Sequence, residues 1–205
     1  MAEELLIEQW NGRIEFKDIP LSESNTNGLK PGLYIEGVFL QAEVVNGNKR
    51  LYPRPVLEKA VDKYIKEQIL PRQSLGELNH PPRANVDPMH AALIIEDLWW
   101  EGNNVIGRAR IIEGDGAEGD KLAALIRAGW VPGVSSRGLG STKQSGKGYV
   151  IVQEGFKLTV GVDAVWGPSA PDAFVKPLQI NESKAVNAAD TQPFQALVEK
   201  LNNLN

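Results

Sequence analysis

The chain has 205 residues, with 22 Lys or Arg and 26 Asp or Glu, so its formal net charge is −4. This weakly acidic balance lacks the basic field expected of a dedicated nucleic-acid or anionic-membrane binder. The absence of cysteine excludes disulfides, a thiol nucleophile and Cys-ligated metal sites. No apolar run approaches the ~20 residues of a membrane span, and residues 1–8 lack the layout of a signal peptide, so we expect a cytosolic protein.

The first part of the chain predicts a polar segment, a strand and one long helix. Residues 1–30 are mixed and polar, which indicates a loosely held N-terminal segment. Leu33–Val45 is rich in β-branched and aromatic residues and predicts a strand. Apolar residues recur at three- and four-residue spacing over Pro53–Leu70, which predicts an amphipathic helix that Pro71 ends. Proline steps within Gln73–Pro88 then predict a stiff loop.

The second part predicts strands interrupted by one short helix. Further strands are expected at Ala92–Trp100, Val105–Ile112, Val131–Leu139, Tyr149–Val152 and Phe156–Trp166. Asp120–Ala128 has an apolar stripe and precedes Gly129, which predicts a helix with a glycine C-cap. A small amphipathic helix is expected at Phe194–Leu204. Since most strands are neighbours in sequence and βαβ alternation is absent, we expect an α+β fold with a largely antiparallel, barrel-like sheet flanked by helices.

The two histidines are the main candidates for a general base near neutral pH. His80 lies in Gly76–Pro82 (GELNHPP), where two prolines stiffen the loop and hold an imidazole in one orientation. From this segment alone, a histidine fixed in a turn by local backbone is the more common explanation. His90 precedes a strand without neighbours that suggest chemistry, so we expect it to be structural.

A pair of serines between glycines is the candidate nucleophile. In Gly133–Gly138 (GVSSRG), glycine permits close approach of a substrate backbone, and Arg137 or nearby amides are candidate donors to an oxyanion. Taken alone, the segment also fits a serine-rich strand end, and it lacks the Gly-x-Ser-x-Gly elbow of α/β-hydrolases. Asp163 interrupts an apolar strand, where a buried carboxylate needs an imidazolium or arginine partner; an Asp on the solvent face is the simpler alternative.

Metal and cofactor sites have little support in the sequence. His80 and His90 have no helical spacing, and no phosphate loop or dinucleotide fingerprint is present. Gly114–Asp120 has acidic residues at alternating positions but lacks the remaining ligands of a calcium loop. We therefore expect neither a metal nor a cofactor.

Five strings together resemble the prohead core proteases of T-even-like tailed phages, which are serine endopeptidases of the herpesvirus assemblin type. The strings are Gly32–Gly37 (GLYIEG), Asn48–Pro53 (NKRLYP), Gly76–Pro81 (GELNHP), Gly133–Gly140 (GVSSRGLG) and Val162–Pro171 (VDAVWGPSAP). They follow in order from about residue 30 to about residue 175. The resemblance implies a protease domain at residues 31–178, preceded by the segment 1–30 and followed by a flexible tail at 179–205.

The resemblance implies roles for individual residues. It assigns the general base to His80 and the nucleophile to Ser135, with the neighbouring Ser136 left open. Distant herpesvirus relatives use a second histidine after the nucleophile, but no histidine follows His90 in this chain, so Asp163 is the expected third member. Arg137 and Ser136 are expected to support the oxyanion.

The resemblance also implies substrates and a place of action. The expected substrates are the scaffold and capsid proteins of the prohead and the protease itself, inside the immature capsid in the host cytoplasm. No membrane or specific nucleic acid is expected, and self-association is left open. Cutting is expected after Glu with Leu or Ile two residues earlier, and the flanking matches are Glu8, Glu23, Glu182 and Glu199. A non-catalytic capsid or tail-tube protein of related fold is the alternative.

Overall fold

The structure is a computed structural model that describes residues 4–7, 32–166 and 175–180. Its α-helices are α1 (Arg54–Tyr64) and α2 (Glu118–Arg127). The strands of the described residues are β1 (Glu4–Ile7), β2 (Gly32–Gln41), β3 (Arg50–Leu51), β4 (Leu75–Glu77), β5 (Ala91–Glu101), β6 (Asn104–Ile111), β7 (Gly133–Gly140), β8 (Thr142–Gln144), β9 (Val150–Val152), β10 (Lys157–Val165) and β11 (Val175–Ile180).

The strands form mainly antiparallel sheets, which confirms the predicted α+β class. The β2 sheet has the order β11-β2-β6-β5-β4, and the β7 sheet has the order β1-β7-β10. A small third sheet, β3-β9-β8, contains the one parallel strand pair of the described sheets, between β3 and β9. Within the described residues the strands divide among these three sheets, and a single closed barrel is not formed. None of the described helices is long and apolar enough to cross a membrane.

Helix α1 packs on the β7 sheet through its apolar face. The buried residues Leu57, Ala60, Val61 and Tyr64 follow the predicted spacing, and a π-helical turn at Ile65–Ile69 continues the helix close to its predicted end. A Cβ atom at Gly161 of β10 would lie 2.8 Å from the Tyr64 ring, so glycine permits this close packing. Burial raises the pKa of the Tyr64 hydroxyl above its ordinary value of 10.0, which keeps this side chain neutral.

The loop before α2 is organised by two carboxylates. Asp115 accepts hydrogen bonds from the backbone N–H groups of Ala117 (2.8 Å) and Gly119 (3.1 Å), and Asp120 accepts from Gly114 (2.7 Å) and Gly116 (2.8 Å). Asp115 therefore binds N–H groups of the first turn of the helix, which is the function of an N-terminal capping group, while Asp120 fixes the loop that precedes the helix. The helix ends at Arg127 with Ala128 as its C-cap, one residue before the predicted cap at Gly129, which follows in the left-handed region with φ of 96°.

Several short strands differ from the sequence-based predictions. β1 lies in the segment expected to be loosely held, and β4 lies in the expected loop. β11 extends to Ile180, beyond the predicted end of the protease domain. β2 ends at Gln41 rather than at the predicted Val45, because residues 42–44 form a bend. The predicted helix Phe194–Leu204 lies outside the described residues.

Strand β4 connects the two larger sheets. It pairs with β5 in the β2 sheet, and Leu78, just after it, forms a parallel bridge with Ala164 of β10. A Cβ atom at Gly76 would lie 2.1 Å from the carbonyl oxygen of Val162, so only glycine allows β4 this close to β10. The segment that follows β4 is thereby held against the β7 sheet.

Candidate active site

His80 follows β4 at the point where the chain turns over β10. The backbone N–H of Asn79 donates to the carbonyl of Ala164 at 2.7 Å, and Asn79 has φ of 74°. Asn is one of the few side chains that tolerate this left-handed conformation. The turn directs His80 back toward β10, where its side chain is only 6% exposed.

The imidazole of His80 is oriented by Asp163. The Nδ1 atom of His80 lies 2.8 Å from Oδ2 of Asp163, and the backbone N–H of Glu77 donates to Oδ1 at 2.8 Å. Asp163 is completely buried. Because Nδ1 faces the carboxylate, Nε2 is the nitrogen left to exchange a proton, and it has no hydrogen-bond partner in the part of the chain that the structure describes.

Ser135 lies on β7 directly opposite Asp163 in the antiparallel register. Residues paired in this way have side chains on the same face, with Cα atoms about 4.5–5.5 Å apart. Both register shifts between the strands lie on β10, so β7 keeps regular alternation. Ser135 and Arg137 therefore share the Asp163 face, and Ser136 lies on the other face. The sequence alone does not distinguish Ser135 from Ser136 as the nucleophile, whereas this alternation places the two serines on opposite faces of β7.

The guanidinium of Arg137 is fully buried against the same carboxylate. Its Nη2 donates to Oδ1 of Asp163 at 3.0 Å and to Oε2 of Glu77 at 3.2 Å. Its Nη1 donates to the carbonyls of Arg83 at 2.9 Å and Asn85 at 3.2 Å. Its Nε lies 2.7 Å from Oδ2 of Asp163, an ionic contact whose N–H direction does not meet hydrogen-bond geometry.

This arrangement differs from the oxyanion role expected for the Arg137 side chain. The two Nη atoms have four N–H bonds, and each is directed to an acceptor inside the protein. The Nε atom lies against Asp163. The side chain therefore has no donor available for a substrate oxyanion, and its contacts instead hold Asp163 and the backbone after His80.

Glu77 and Arg83 are part of the site although the sequence analysis did not select them. The Glu77 carboxylate accepts hydrogen bonds from the Arg83 side chain, from the backbone N–H of Asp87 at 2.7 Å and from Arg137. Glu77 is 1% exposed. The available signal was a charged residue between Leu75 and Leu78 in a short apolar stretch.

His80 borders an open depression of about 260 Å³. Arg83, His90 and Glu118 also line it, so the two histidines share this surface. The Nδ1 atom of His90 lies 3.6 Å from Oε1 of Glu118, and both side chains are partly exposed. The predicted structural role of His90 is compatible with this contact, which links the loop after His80 to the start of α2.

Metal-ligand geometry is not found among the described residues, where no group of three or more acidic or histidine side chains is arranged to hold an ion. The Asp115 carboxylate is directed to backbone N–H groups instead. Hydrogen bonds from Ala117, Asp120 and Gly119 hold its pKa below the ordinary value of 3.8, with that from Ala117 the strongest cause.

Comparisons with known proteins place the chain in a class, the proteases of capsid assembly. Residues 6–185 match the family described as prohead core protein serine protease, and the chain belongs to this family. The chain is 65% identical over 205 residues to the prohead core protein protease of Enterobacteria phage T4, covering 97% of this chain and 96% of that protein. It also matches the solved structure of the bacteriophage T4 capsid assembly protease, gp21, with a TM-score of 0.71 and 69% identity. That match covers 82% of this chain and 100% of the solved one.

Proposed function

We propose that the protein is a serine endopeptidase in which Ser135 is the nucleophile, His80 the general base and Asp163 the residue that orients His80. The observation that carries the proposal is the 2.8 Å contact between Nδ1 of His80 and Oδ2 of Asp163, with Ser135 opposite Asp163. A nucleophile, a base and an orienting carboxylate on one face of a sheet are the arrangement that serine proteases require.

The reaction follows from the atoms that each residue offers. Oγ of Ser135 attacks the carbonyl carbon of the scissile bond while Nε2 of His80 takes its proton. His80 then gives this proton to the nitrogen of the leaving peptide, and the C–N bond breaks. Asp163 holds Nδ1–H throughout and stabilises the imidazolium. Water, activated by His80, hydrolyses the acyl-enzyme and restores Ser135.

Arg137 acts in this proposal as a positioning residue. Its guanidinium binds Asp163 and Glu77 and the carbonyls of Arg83 and Asn85, so it fixes the carboxylate and the loop after His80 together. Stabilisation of the oxyanion is then assigned to backbone N–H groups near Ser135. Such preorganised donors are worth about 10²–10³ in rate in serine proteases.

The proposed substrates are the scaffold and capsid proteins of the prohead, and the protease itself. Family membership and the likeness to the T4 proteases support these substrates and a place of action inside the immature capsid in the host cytoplasm. We propose cleavage after Glu with Leu or Ile two residues earlier. The flanking self-cleavage candidates Glu8, Glu23, Glu182 and Glu199 lie outside the described side chains.

The test is proteolysis of the capsid protein by purified variants. Ser135→Ala and His80→Ala are expected to reduce the rate by about 10⁴-fold or more, and the double variant to be little worse than either, because the residues act as a unit. Ser136→Ala is the matched control, since it removes the hydroxyl of the neighbouring serine, which lies on the other face of β7.

A fluorophosphonate probe is expected to label Ser135. Loss of activity with Ser136→Ala alone would assign the nucleophile to Ser136; an unlabelled, inactive wild type would favour the non-catalytic alternative.

A further inference from the structure

Strand β1 occupies the edge of the strand that contains Ser135. β7 is the central strand of its sheet, with β10 on one side and β1 on the other. The register pairs Glu4 with Gly140 and Ile7 with Arg137, in antiparallel direction. An N-terminal segment of the chain is thus added to the edge of β7 over the four residues Arg137–Gly140.

The direction of β1 is that of a substrate approaching the nucleophile. From Glu4 to Ile7 the strand runs toward Ser135, and its described register ends two residues away, opposite Arg137. An extended peptide advances about 3.3 Å per residue. A peptide that continued this register by one residue past Ile7 would bring its next peptide bond beside Ser135 and Ser136. Residues that precede a scissile bond would therefore lie where β1 lies.

Leu6 of β1 matches the aliphatic position of the proposed specificity. Leu6 is 2% exposed and lies opposite Gly138. A Cβ atom at Gly138 would lie 2.4 Å from the Phe156 ring. Because glycine has no side chain, this ring packs against the face of β7 on which Leu6 is buried. Leu6 and Phe156 belong to one apolar cluster. In the sequence Glu8 follows two residues after Leu6, which is the spacing of an aliphatic residue and Glu proposed for the cleavage sites.

We propose that β1 blocks, in cis, the edge of β7 from Arg137 to Gly140 on which the substrate residues that precede the cut are expected to pair, so that the protease is autoinhibited until β1 leaves this edge. The inference rests on the proposed function. The ligand is an extended peptide with an aliphatic side chain two positions before Glu. Its backbone pairs with β7, and its aliphatic side chain enters the site that Leu6 now fills.

Occupation in cis makes β1 a competitor of the substrate. A covalently attached strand is present at an effective concentration in the millimolar range, so it must leave the edge before a second chain binds. A strand of four residues whose pairing, among the described strands, is with β7 alone is suited to such exchange.

The test is to lock β1 in place with a disulfide. The chain has no cysteine, so Leu5→Cys combined with Leu139→Cys introduces a unique pair at directly opposed positions that are both half-buried. Opposed residues of antiparallel strands have Cα separations within the range of a disulfide. The matched control is Lys143→Cys with Ile151→Cys, an opposed pair in the third sheet. Capsid-protein cleavage is measured for each variant oxidised and reduced, with cross-linking followed by mass.

We expect oxidation to slow cleavage by the Leu5/Leu139 variant at least tenfold and reduction to restore it, while the control pair is unaffected. A synthetic peptide of residues 3–8 should inhibit the reduced enzyme by raising KM without changing kcat, and a scrambled peptide should not. Equal rates for the oxidised and reduced forms would overturn the inference. So would failure of this pair to cross-link under conditions where the control pair does. An inactive wild type in the same assay would instead refute the proposed function itself.

Discussion

Two carboxylates and one guanidinium share a space from which water is almost excluded. The side chains of Asp163 and Arg137 are 0% exposed and that of Glu77 is 2% exposed. Burying such charges is costly unless each is paired and its remaining hydrogen-bonding capacity is used. Here Arg137 lies between the two carboxylates, and backbone N–H groups of Glu77 and Asp87 bind the remaining oxygens. The cost of this cluster is consistent with a role in holding His80 in position.

The role of Glu77 is tested by removing its charge. We expect Glu77→Gln to destabilise the fold by about 3 kcal/mol, because one partner of a buried ion pair is lost, and to lower kcat more than it raises KM. Glu36→Gln is the matched control, since Glu36 is also buried and ion-paired, with Arg108 at 2.6 Å. Chemical denaturation and cleavage kinetics at a temperature where both variants are folded separate the two effects. Equal kcat in the two variants would show that Glu77 has a structural role only.

Asp163 is tested by Asp163→Asn, which keeps the shape of the side chain. An amide cannot both accept from the backbone N–H of Glu77 and stabilise a protonated His80, so we expect a large loss of kcat, up to ~10⁴-fold. Circular dichroism checks that the variant is folded. A loss smaller than about tenfold in a folded variant would mean that another group orients His80.

At the scale of elements, the start of α2 depends on Asp115. Its carboxylate accepts from Ala117 and Gly119, and the Asp62 carboxylate on the exposed surface of α1 provides a comparison. We expect Asp115→Ala to lower the Tm and Asp62→Ala to leave it nearly unchanged. Since the pKa of Asp115 is lowered in the folded state, its contribution is complete above the ordinary value of 3.8 and is lost as the pH falls through the folded pKa. The Tm difference between wild type and Asp115→Ala should therefore shrink at acidic pH; a constant difference would contradict the capping role.

The elements also show which parts of the fold can be predicted from the sequence alone. The long strands β5 and β6 and the helices α1 and α2 were predicted close to their observed bounds, because their periodic apolar residues report local structure directly. β1 and β4 were missed, since strands of four and three residues are too short to show a period. The same difference applies to the site. His80, Ser135 and Asp163 were predicted from motifs and from the family resemblance. The contact of Arg137 with Glu77 joins residues 60 apart in sequence and depends on sheet pairing that no local pattern encodes.

At the scale of the whole molecule, the fold restricts where the protein can cut itself. Four matches to the proposed cleavage pattern fall within the described residues, at Glu67, Glu77, Glu96 and Glu113. Glu67 lies within the π-helical turn Ile65–Ile69, so it is not in an extended segment. Glu77 is buried beside His80, and Glu96 lies within β5 at a register shift. Glu113 follows β6 and is held by the Arg127 side chain and by the backbone N–H of Leu33 at 3.1 Å. A segment held by such contacts cannot enter a protease groove as an extended strand.

We therefore expect self-trimming after Glu23 or Glu182, which lie in the polar flanking sequences where nicking usually concentrates. Cutting after Glu182 would remove the predicted amphipathic helix Phe194–Leu204, whose apolar stripe suits attachment to a scaffold protein before trimming. Intact-mass spectrometry of wild type and Ser135→Ala decides the question, with the inactive variant as the control for host proteases. Identical masses under conditions where capsid protein is cut would exclude self-trimming. New ends at Glu96 or Glu113 would mean that the β2 sheet opens during cleavage, because those sites become extended substrates only if β5 or the end of β6 leaves its partners.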